Sequence, residues 1–384
     1  MNRAAHAPMV VAARRTPITV TGGRLSRLGA EQLAASVLRA CSDDALASTV
    51  SRQPIADVVL GNCMGPGGNI ARLAALAAGI DVTVPGLTVD RQCASGLAAI
   101  IVAADAIRAG DDRMQLAGGV ESASTAPVRI SDGVEYARAP FAPEGFPDPE
   151  MGPAAQALAA DSGIGRDEQD AYAARSHALA LAALQQNRFA DEIVPTGGVL
   201  LDDGPRSGMP AMLGRFRPLY PELGGTVTAG NSCRISDGAA AVALVAAPAR
   251  GAAPALALLG HATVGCDPAT PGIGPVAAVQ RLLEQSGLSL DDISAFEIVE
   301  AFAAQTLAVL RPLGLAADDG VDPRVCADGG ALALGHPWGA SGAVGVVRLF
   351  SRLVRAGAPA GTLGIATAAV GGGMGVAALF EVVR

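Results

Sequence analysis

Val89-Asp90-Arg91-Gln92-Cys93-Ala94-Ser95-Gly96-Leu97 sets a cysteine between a short apolar run and an alanine-rich helical run that closes at Arg108-Ala109-Gly110. Further along, Ala340-Ser341-Gly342 opens a comparable run that closes at Arg355-Ala356-Gly357. The first is followed by the strand-like Met114-Gln115-Leu116-Ala117 and by Gly118-Gly119, the second by Thr362 to Ala366 and by Gly371-Gly372-Gly373. Both read as turn, buried helix, buried strand and glycine-rich bend, with helical runs one residue different in length. A repeated order of this kind predicts a duplicated α/β half. Chance recurrence in an Ala- and Gly-rich chain is the alternative, and the shared order of elements argues against it.

At the head of a helix the first backbone N–H groups lack partners and the dipole favours an anion. The position of Cys93 therefore predicts a thiolate nucleophile. The bland alternative is a buried cysteine serving as a small hydrophobe.

The chain has 384 residues, enough for two or three packed units. Half of them are apolar but only 3% aromatic, and 48 Gly with 25 Pro suit an aliphatic core joined by many turns. Every basic side chain is Arg, and the absence of Lys excludes Schiff-base chemistry. A formal charge of -8 argues against a nucleic-acid partner and requires any polyanionic cofactor to be held by a few locally gathered arginines. Cys41, Cys63, Cys93, Cys233, Cys266 and Cys326 show no C-x-x-C spacing, and the N-terminus has no charged-then-apolar leader. Free thiols in a cytoplasmic protein are the expectation. His6, His177, His261 and His336 form no metal-like cluster with them, so no metal is expected. The apolar run from Ala239 to Gly260 is broken by Pro248 and Arg250, which argues against a membrane span.

Between the two similar regions the pattern changes. Ser122 to Pro153 is rich in Pro, Gly and charge, and helical spacing follows over Ala154 to Ala160 and Arg166 to Asn187. An insertion of about a hundred residues in an α/β scaffold usually shapes a binding site. Gly224 to Ser232 then leads into a buried strand, Asp237 to Val245, which would complete the sheet of the first half. The second half runs from about Leu256, with a helix around Val276 to Gly287 and a strand around Ala295 to Val299.

Several separate segments, in order and across almost the whole chain, resemble the thiolase family. They are Arg91 to Leu97, Gly118-Gly119-Val120-Glu121-Ser122, Gly225 to Asn231 with Asp237 to Ala241, and Gly272-Ile273-Gly274-Pro275. Glu300 to Gln305, Gly335-His336-Pro337-Trp338-Gly339 and Gly371 to Gly375 complete the set. Any one alone is weak, and together they are highly specific. The resemblance implies a thiolase-like α/β fold, two pseudo-symmetric halves in five layers (αβαβα) plus an inserted loop domain. Its boundaries would be 1–119 with 236–255 for the N-terminal half, 120–235 for the loop domain and 256–384 for the C-terminal half. It also implies acyl-CoA and CoA as substrate and product, no tightly bound cofactor, and a homodimer or homotetramer.

By the same resemblance Cys93 is the acyl-thioester nucleophile, and His336 is its proton acceptor and an oxyanion donor. The backbone N–H of Gly371 pairs with that of Cys93 in an oxyanion hole. Met151 and Phe302 match positions near the acyl pocket, and Ser232 and Cys233 stand at the turn lining the pantetheine tunnel. Arg206 and Arg215, with Arg217, lie where the family holds the phosphates of CoA, with a solvated surface as the even alternative. Two residues depart from the pattern. Val299 replaces an Asn that holds a water in a second oxyanion hole, a donor worth about 3 kcal/mol of transition-state stabilisation. Ala369 replaces a second catalytic Cys that moves protons in carbon–carbon bond chemistry. Cys233 and Cys326 are thiols that the fold could bring near, against a reading as free core thiols.

The function expected is acyl transfer through Cys93 between CoA thioesters, by 3-ketoacyl-CoA thiolysis or Claisen condensation, in lipid metabolism. The alternatives are a thiolase-fold acyltransferase or thioester hydrolase without carbon–carbon chemistry, and a non-catalytic acyl-CoA-binding or scaffold relative.

Overall fold

A computed structural model describes residues 6–49, 53–317 and 319–384. β1 (Pro8–Arg15) lies in a sheet with β5 (Ser236–Ala246), β4 (Met114–Ser122), β2 (Ile55–Gly61) and β3 (Gly86–Val89), in that order. β5 is antiparallel to β1 and β4, whereas β4, β2 and β3 are parallel to one another. The second sheet repeats this order of directions in β6 (Ala255–Gly265), β9 (Met374–Val383), β8 (Leu363–Val370) and β7 (Ile293–Ile298). There β9 is antiparallel to β6 and β8, and β8 is parallel to β7. Two residue pairs, Met9 with Ala257 and Val10 with Leu256, join β1 to β6 and so link the sheets. β5 is buried along its whole length, so it reads as an unbroken small and apolar run rather than an alternation.

Two helices fill the space between the sheets. α3 (Ser95–Arg108) and α8 (Trp338–Leu349) pack against each other, and Leu97, Ile100, Val346 and Val347 share one core with Val242 and Ala378 of the flanking sheets. α1 (Ala30–Ser48) and α2 (Ile70–Ala77) cover the outer face of the first sheet. α6 (Gly274–Ser286) and α7 (Ala303–Leu310) cover the second. The result is the five-layered, pseudo-symmetric α/β architecture expected. No helix among the described residues is long and apolar enough to cross a membrane.

The Ala-Ser-Gly repeat finds its physical reason where the central helices meet. A Cβ on Gly96 would lie 2.9 Å from Gly339 O, and one on Gly119 would lie 1.9 Å from the same oxygen. A Cβ on Gly342 would come within 2.8 Å of Leu97 Cβ. Only glycine lets backbones approach this closely, so the two helix starts touch there.

After Leu349 the helical run continues as a wider π-helix over Phe350–Arg355. Within it Ser351 Oγ donates to Glu192 at 2.6 Å. Glu192 comes from the inserted region, which also contains α4 (Met151–Asp161) and α5 (Arg166–Gln185). Arg15 Nε donates to Glu192 at 2.7 Å, and its two terminal nitrogens grip Asp202 at 2.7 and 2.9 Å. Arg348 donates to Glu192 and Asp328, and all five of these charged side chains are almost fully buried.

Burial by itself would raise the Glu192 pKa, but the guanidiniums of Arg348 and Arg15 outweigh it and hold the carboxyl below its usual value. The stabilisation from Glu192 is therefore present above the unfolded carboxylate pKa and is lost as pH falls through the depressed folded one. Replacing it leaves two buried guanidiniums short of a counter-charge. Glu192→Gln is expected to destabilise the fold by about 3–5 kcal/mol at neutral pH, read from urea unfolding.

Candidate active site

β3 ends at Val89 and α3 begins at Ser95, and between them Gln92–Ala94 form a tight 3-10 turn. Gln92 has φ of +43°, a left-handed conformation costing about 1–3 kcal/mol in a residue with a side chain. Local hydrogen bonds hold it there. Ser95 Oγ accepts from Arg91 N at 2.8 Å and donates to Gln92 O at 2.7 Å, while Asp90 Oδ1 accepts from Gln92 N at 2.8 Å. A strained strand-to-helix elbow is a way to present a nucleophile, and it leaves Cys93 partly exposed at the tip. The elbow packs on α8 and on β8, so it meets the segments that carry His336 and Gly371.

His336 lies three residues ahead of Gly339, as Cys93 lies three ahead of Gly96, and those two glycines are in contact. The imidazole is buried, and its backbone N–H donates to Arg234 O at 2.9 Å. Nδ1 lies 2.6 Å from Ser341 Oγ, which itself donates to Pro337 O at 3.0 Å. The tautomer with its hydrogen on Nδ1 satisfies both contacts, because Ser341 then receives that hydrogen and gives its own to Pro337 O. Nε2 is then the bare, basic nitrogen, and it is buried with no hydrogen-bond partner among the described residues. Burial pushes the imidazole pKa down to about 4, which keeps it neutral at physiological pH.

The thiolate expected at Cys93 is corrected by its surroundings. Burial pushes the thiol up to about 12 against the help of its own backbone N–H, and the carboxylates of Glu121 and Asp90 push the same way. Cys93 precedes the first turn of α3 rather than belonging to it, and enclosure outweighs the helix start. The resting pair is a thiol and a neutral imidazole.

Three neighbours were not legible as site residues. Glu121 accepts from Asn62 Nδ2, Met64 N, Cys63 N and Gly339 N at 3.0 to 3.1 Å, tying the 62–64 loop to the start of α8. Burial, opposed by these N–H groups, puts its pKa up to about 7. Cys63 donates to Gln92 O at 3.2 Å and touches Ser95 Oγ at 3.4 Å, directly behind the elbow. Ser341 sets the His336 tautomer. Glu121 stood within a resembling segment and Ser341 within the Ala-Ser-Gly repeat, but their roles and that of Cys63 come from contacts that spacing does not encode.

Of the remaining candidates, Ser232 pairs through its backbone with Phe302, and Cys233 N donates to Ala301 O at 3.0 Å. Burial first, and then the electrostatic influence of Cys93, push the Cys233 thiol up. Cys326 is buried with its sulfur 3.5 Å from Ile298 O. Gly371 sits under Phe141, whose ring would be 2.6 Å from a Cβ there. Val299 and Ala369 are both buried and bring only hydrocarbon to the site. Met151 is partly buried at the first position of α4. Arg206, Arg215 and Arg217 are exposed, and none forms an ion pair with a described carboxylate; no contact ties them to Cys93.

Comparison with known proteins agrees with this architecture. The family model described as "Thiolase, N-terminal domain" matches residues 8–248, and "Thiolase, C-terminal domain" matches residues 253–382. A Bacillus subtilis protein named putative acetyl-CoA C-acetyltransferase YhfS is 40% identical over 379 residues, 97% of this chain and 99% of that one. The Pseudomonas aeruginosa acetyl-CoA acetyltransferase is 39% identical over 395 residues, 96% and 98% of the two chains. Among solved structures, the Bacillus anthracis acetyl-CoA acetyltransferase superposes with a TM-score of 0.87 at 36% identity, covering all of both chains. The Acat5 thiolase from Ascaris suum, solved in complex with coenzyme A, gives 0.87 at 32% identity over 98% of this chain and all of that one.

Proposed function

The chain belongs to the thiolase family, and from that premise we propose that it is an acyl-CoA acyltransferase working through a thioester on Cys93. The observation that carries the mechanism is the bare Nε2 of His336, buried without a partner and fixed as an acceptor by Ser341. As Cys93 Sγ bonds to the thioester carbonyl carbon, its proton passes to Nε2. The carbonyl oxygen takes the negative charge, held by the backbone N–H groups of Cys93 and Gly371. Collapse breaks the bond to the CoA sulfur, which leaves with the proton from His336. Because neither group is ionised at rest, thiolate forms only as the substrate is attacked.

Arg206, Arg215 and Arg217 are assigned to the phosphates of CoA, since they are exposed cations with no carboxylate partner among the described residues. Ser232, Cys233, Phe302 and Met151 are assigned to the pantetheine and acyl path. The domain boundaries proposed are 1–119 with 236–255, 120–235 and 256–384. A homodimer is supported by the open edge of β3, where Leu87 is exposed beside Leu73 and Leu76 of α2. Incubation with acetyl-CoA should raise the intact-protein mass by one acetyl group, located on Cys93 by peptide mapping. Absence of that adduct would remove the mechanism.

Carbon–carbon chemistry needs a second acid/base for the substrate carbon, and Val299 and Ala369 bring none. Cys233, within electrostatic reach of Cys93, is the thiol we assign to serve. Ala369→Cys is expected to raise 3-ketoacyl-CoA thiolysis about tenfold or more, measured as loss of the ketoacyl absorbance on adding CoA. An unchanged rate would place the limiting step elsewhere.

A further inference from the structure

Phe141 packs directly on the glycine bend that follows β8. Its ring lies over Gly371, where an added Cβ would come within 2.6 Å of it, and its carbonyl oxygen lies over Gly372, 2.9 Å from a Cβ there. It also shares one cavity wall with Gln92, which adjoins Cys93, and with Trp338, two residues after His336. The ring thus stands among all three segments that carry the proposed mechanism. Gly372 and Gly373 have φ of +86° and +83°, which call for glycine whatever surrounds them, but Gly371 has no such requirement. At Gly371 the aromatic ring occupies the place that a side chain would take.

The loop that carries the ring is clasped. The Arg138 guanidinium sits over the Phe141 ring, 4.4 Å from its centroid, and donates to Asp148 at 2.8 Å and to Glu150 at 3.2 Å. Phe141 N donates to the same Asp148 carboxylate at 3.2 Å, and Arg138 Nη2 donates to Asp148 O at 3.1 Å. These contacts tie residues 138–141 to 148–150, immediately ahead of Met151 and α4. The ring is therefore a held wall, fixed by one carboxylate that grips both its backbone and the cation stacked on it. An acyl oxygen about 3 Å from the Gly371 N–H places the first carbons of the acyl group against the residue that the ring covers. The ring has hydrocarbon alone to offer them, and its rigid volume limits how far an alkyl group can extend.

We propose that Phe141 is the residue that sets acyl length, closing the site over Gly371 to all but short alkyl groups. A longer chain must displace a ring that Arg138 and Asp148 hold in place, so acetyl-CoA is taken in preference to hexanoyl-CoA. The inference rests on the Cys93 acyl-enzyme reading with Gly371 as an oxyanion donor, and the bond changes are those already given.

The test is a competition for Cys93. The protein is mixed with equal amounts of acetyl-CoA and hexanoyl-CoA, and the two adducts are counted by intact mass. Acetyl is expected to win by at least about tenfold in the wild type, and Phe141→Ala to bring that ratio down to one or below. Phe141→Leu, which keeps an apolar side chain and gives up the ring, should give an intermediate ratio and carries the test if the alanine variant does not fold. Arg138→Gln, which opens the clasp, should move the ratio the same way. Acetyl labelling of the wild type with equal or greater hexanoyl labelling overturns the length limit while leaving the nucleophile standing. Equal loss of both labels in the Phe141 variants, with the ratio unchanged, means that the ring only supports the bend and overturns the proposal. No labelling of the wild type by either thioester overturns the acyl-enzyme reading and the length limit with it.

Discussion

Cys93→Ala is expected to abolish the acyl adduct and to lower acyl transfer by a factor on the order of 10⁵, the scale on which loss of a covalent nucleophile is felt. The side chain is partly exposed at the tip of the elbow and its sulfur takes part in no hydrogen bond to another side chain among the described residues. Its removal should therefore leave the melting temperature within a few degrees, which separates lost chemistry from lost folding. Cys63 and Cys233 are the informative controls. For both thiols burial is the first cause that pushes the pKa up, and both lie within electrostatic reach of Cys93. Neither stands at the tip of a strained elbow, so each should stay unmodified when acetyl-CoA labels the wild type. Transfer of the label to either in the Cys93→Ala protein would contradict the assignment.

His336→Gln is expected to slow acylation of Cys93 about 10²–10⁴-fold, the usual worth of a positioned general base. The pH dependence distinguishes this from a structural role. With the imidazole pushed down to about 4 and the Cys93 thiol up to about 12, the wild-type rate should be nearly level between these limits. Its acid limb should fall only as pH approaches about 4, where Nε2 takes a proton from solvent and ceases to be a base. Stability carries the same signature with a definite sign. The folded imidazole resists protonation and the unfolded one does not, so protons favour the unfolded chain between the unfolded value near 6.5 and about 4. The associated stability is complete above the unfolded pKa and is lost as pH falls through that window. His336→Gln should remove that part of the acid destabilisation, seen as a flatter dependence of melting temperature on pH. The Glu121 carboxyl, pushed up to about 7, also titrates in this range, so a bend near 6.5 that persists in Glu121→Gln would mean an exposed imidazole and would count against the site described.

Legibility in the sequence followed range. The central helices were readable at Ser95 and near Ala340 because small residues and aliphatic periodicity are local, and β5 was readable as an unbroken buried run for the same reason. The π-helical continuation over Phe350–Arg355 was not, since its spacing differs from an α-helix only in which backbone groups pair. Arg15, Glu192, Asp202, Asp328 and Arg348 carry no local signal, because these five distant positions close into one buried network only in the fold. Glu121 was visible only as a letter in a resembling segment, and its four hydrogen bonds come from groups up to 218 positions away.

By itself the sequence determined the duplicated α/β scaffold, the cysteine at the head of α3, the histidine ahead of α8 and the absence of polar side-chain atoms at Val299 and Ala369. These follow from residue identity and from periodicities of a few residues, which the chain carries locally. Only the tertiary structure decided that enclosure pushes the Cys93 thiol up and that His336 Nε2 lies buried without a partner among the described residues. Protonation and pairing depend on desolvation and on the contacts between segments hundreds of residues apart. The chain specifies those contacts, but they acquire a geometry and an energy only once the two helix starts meet at Gly96 and Gly339.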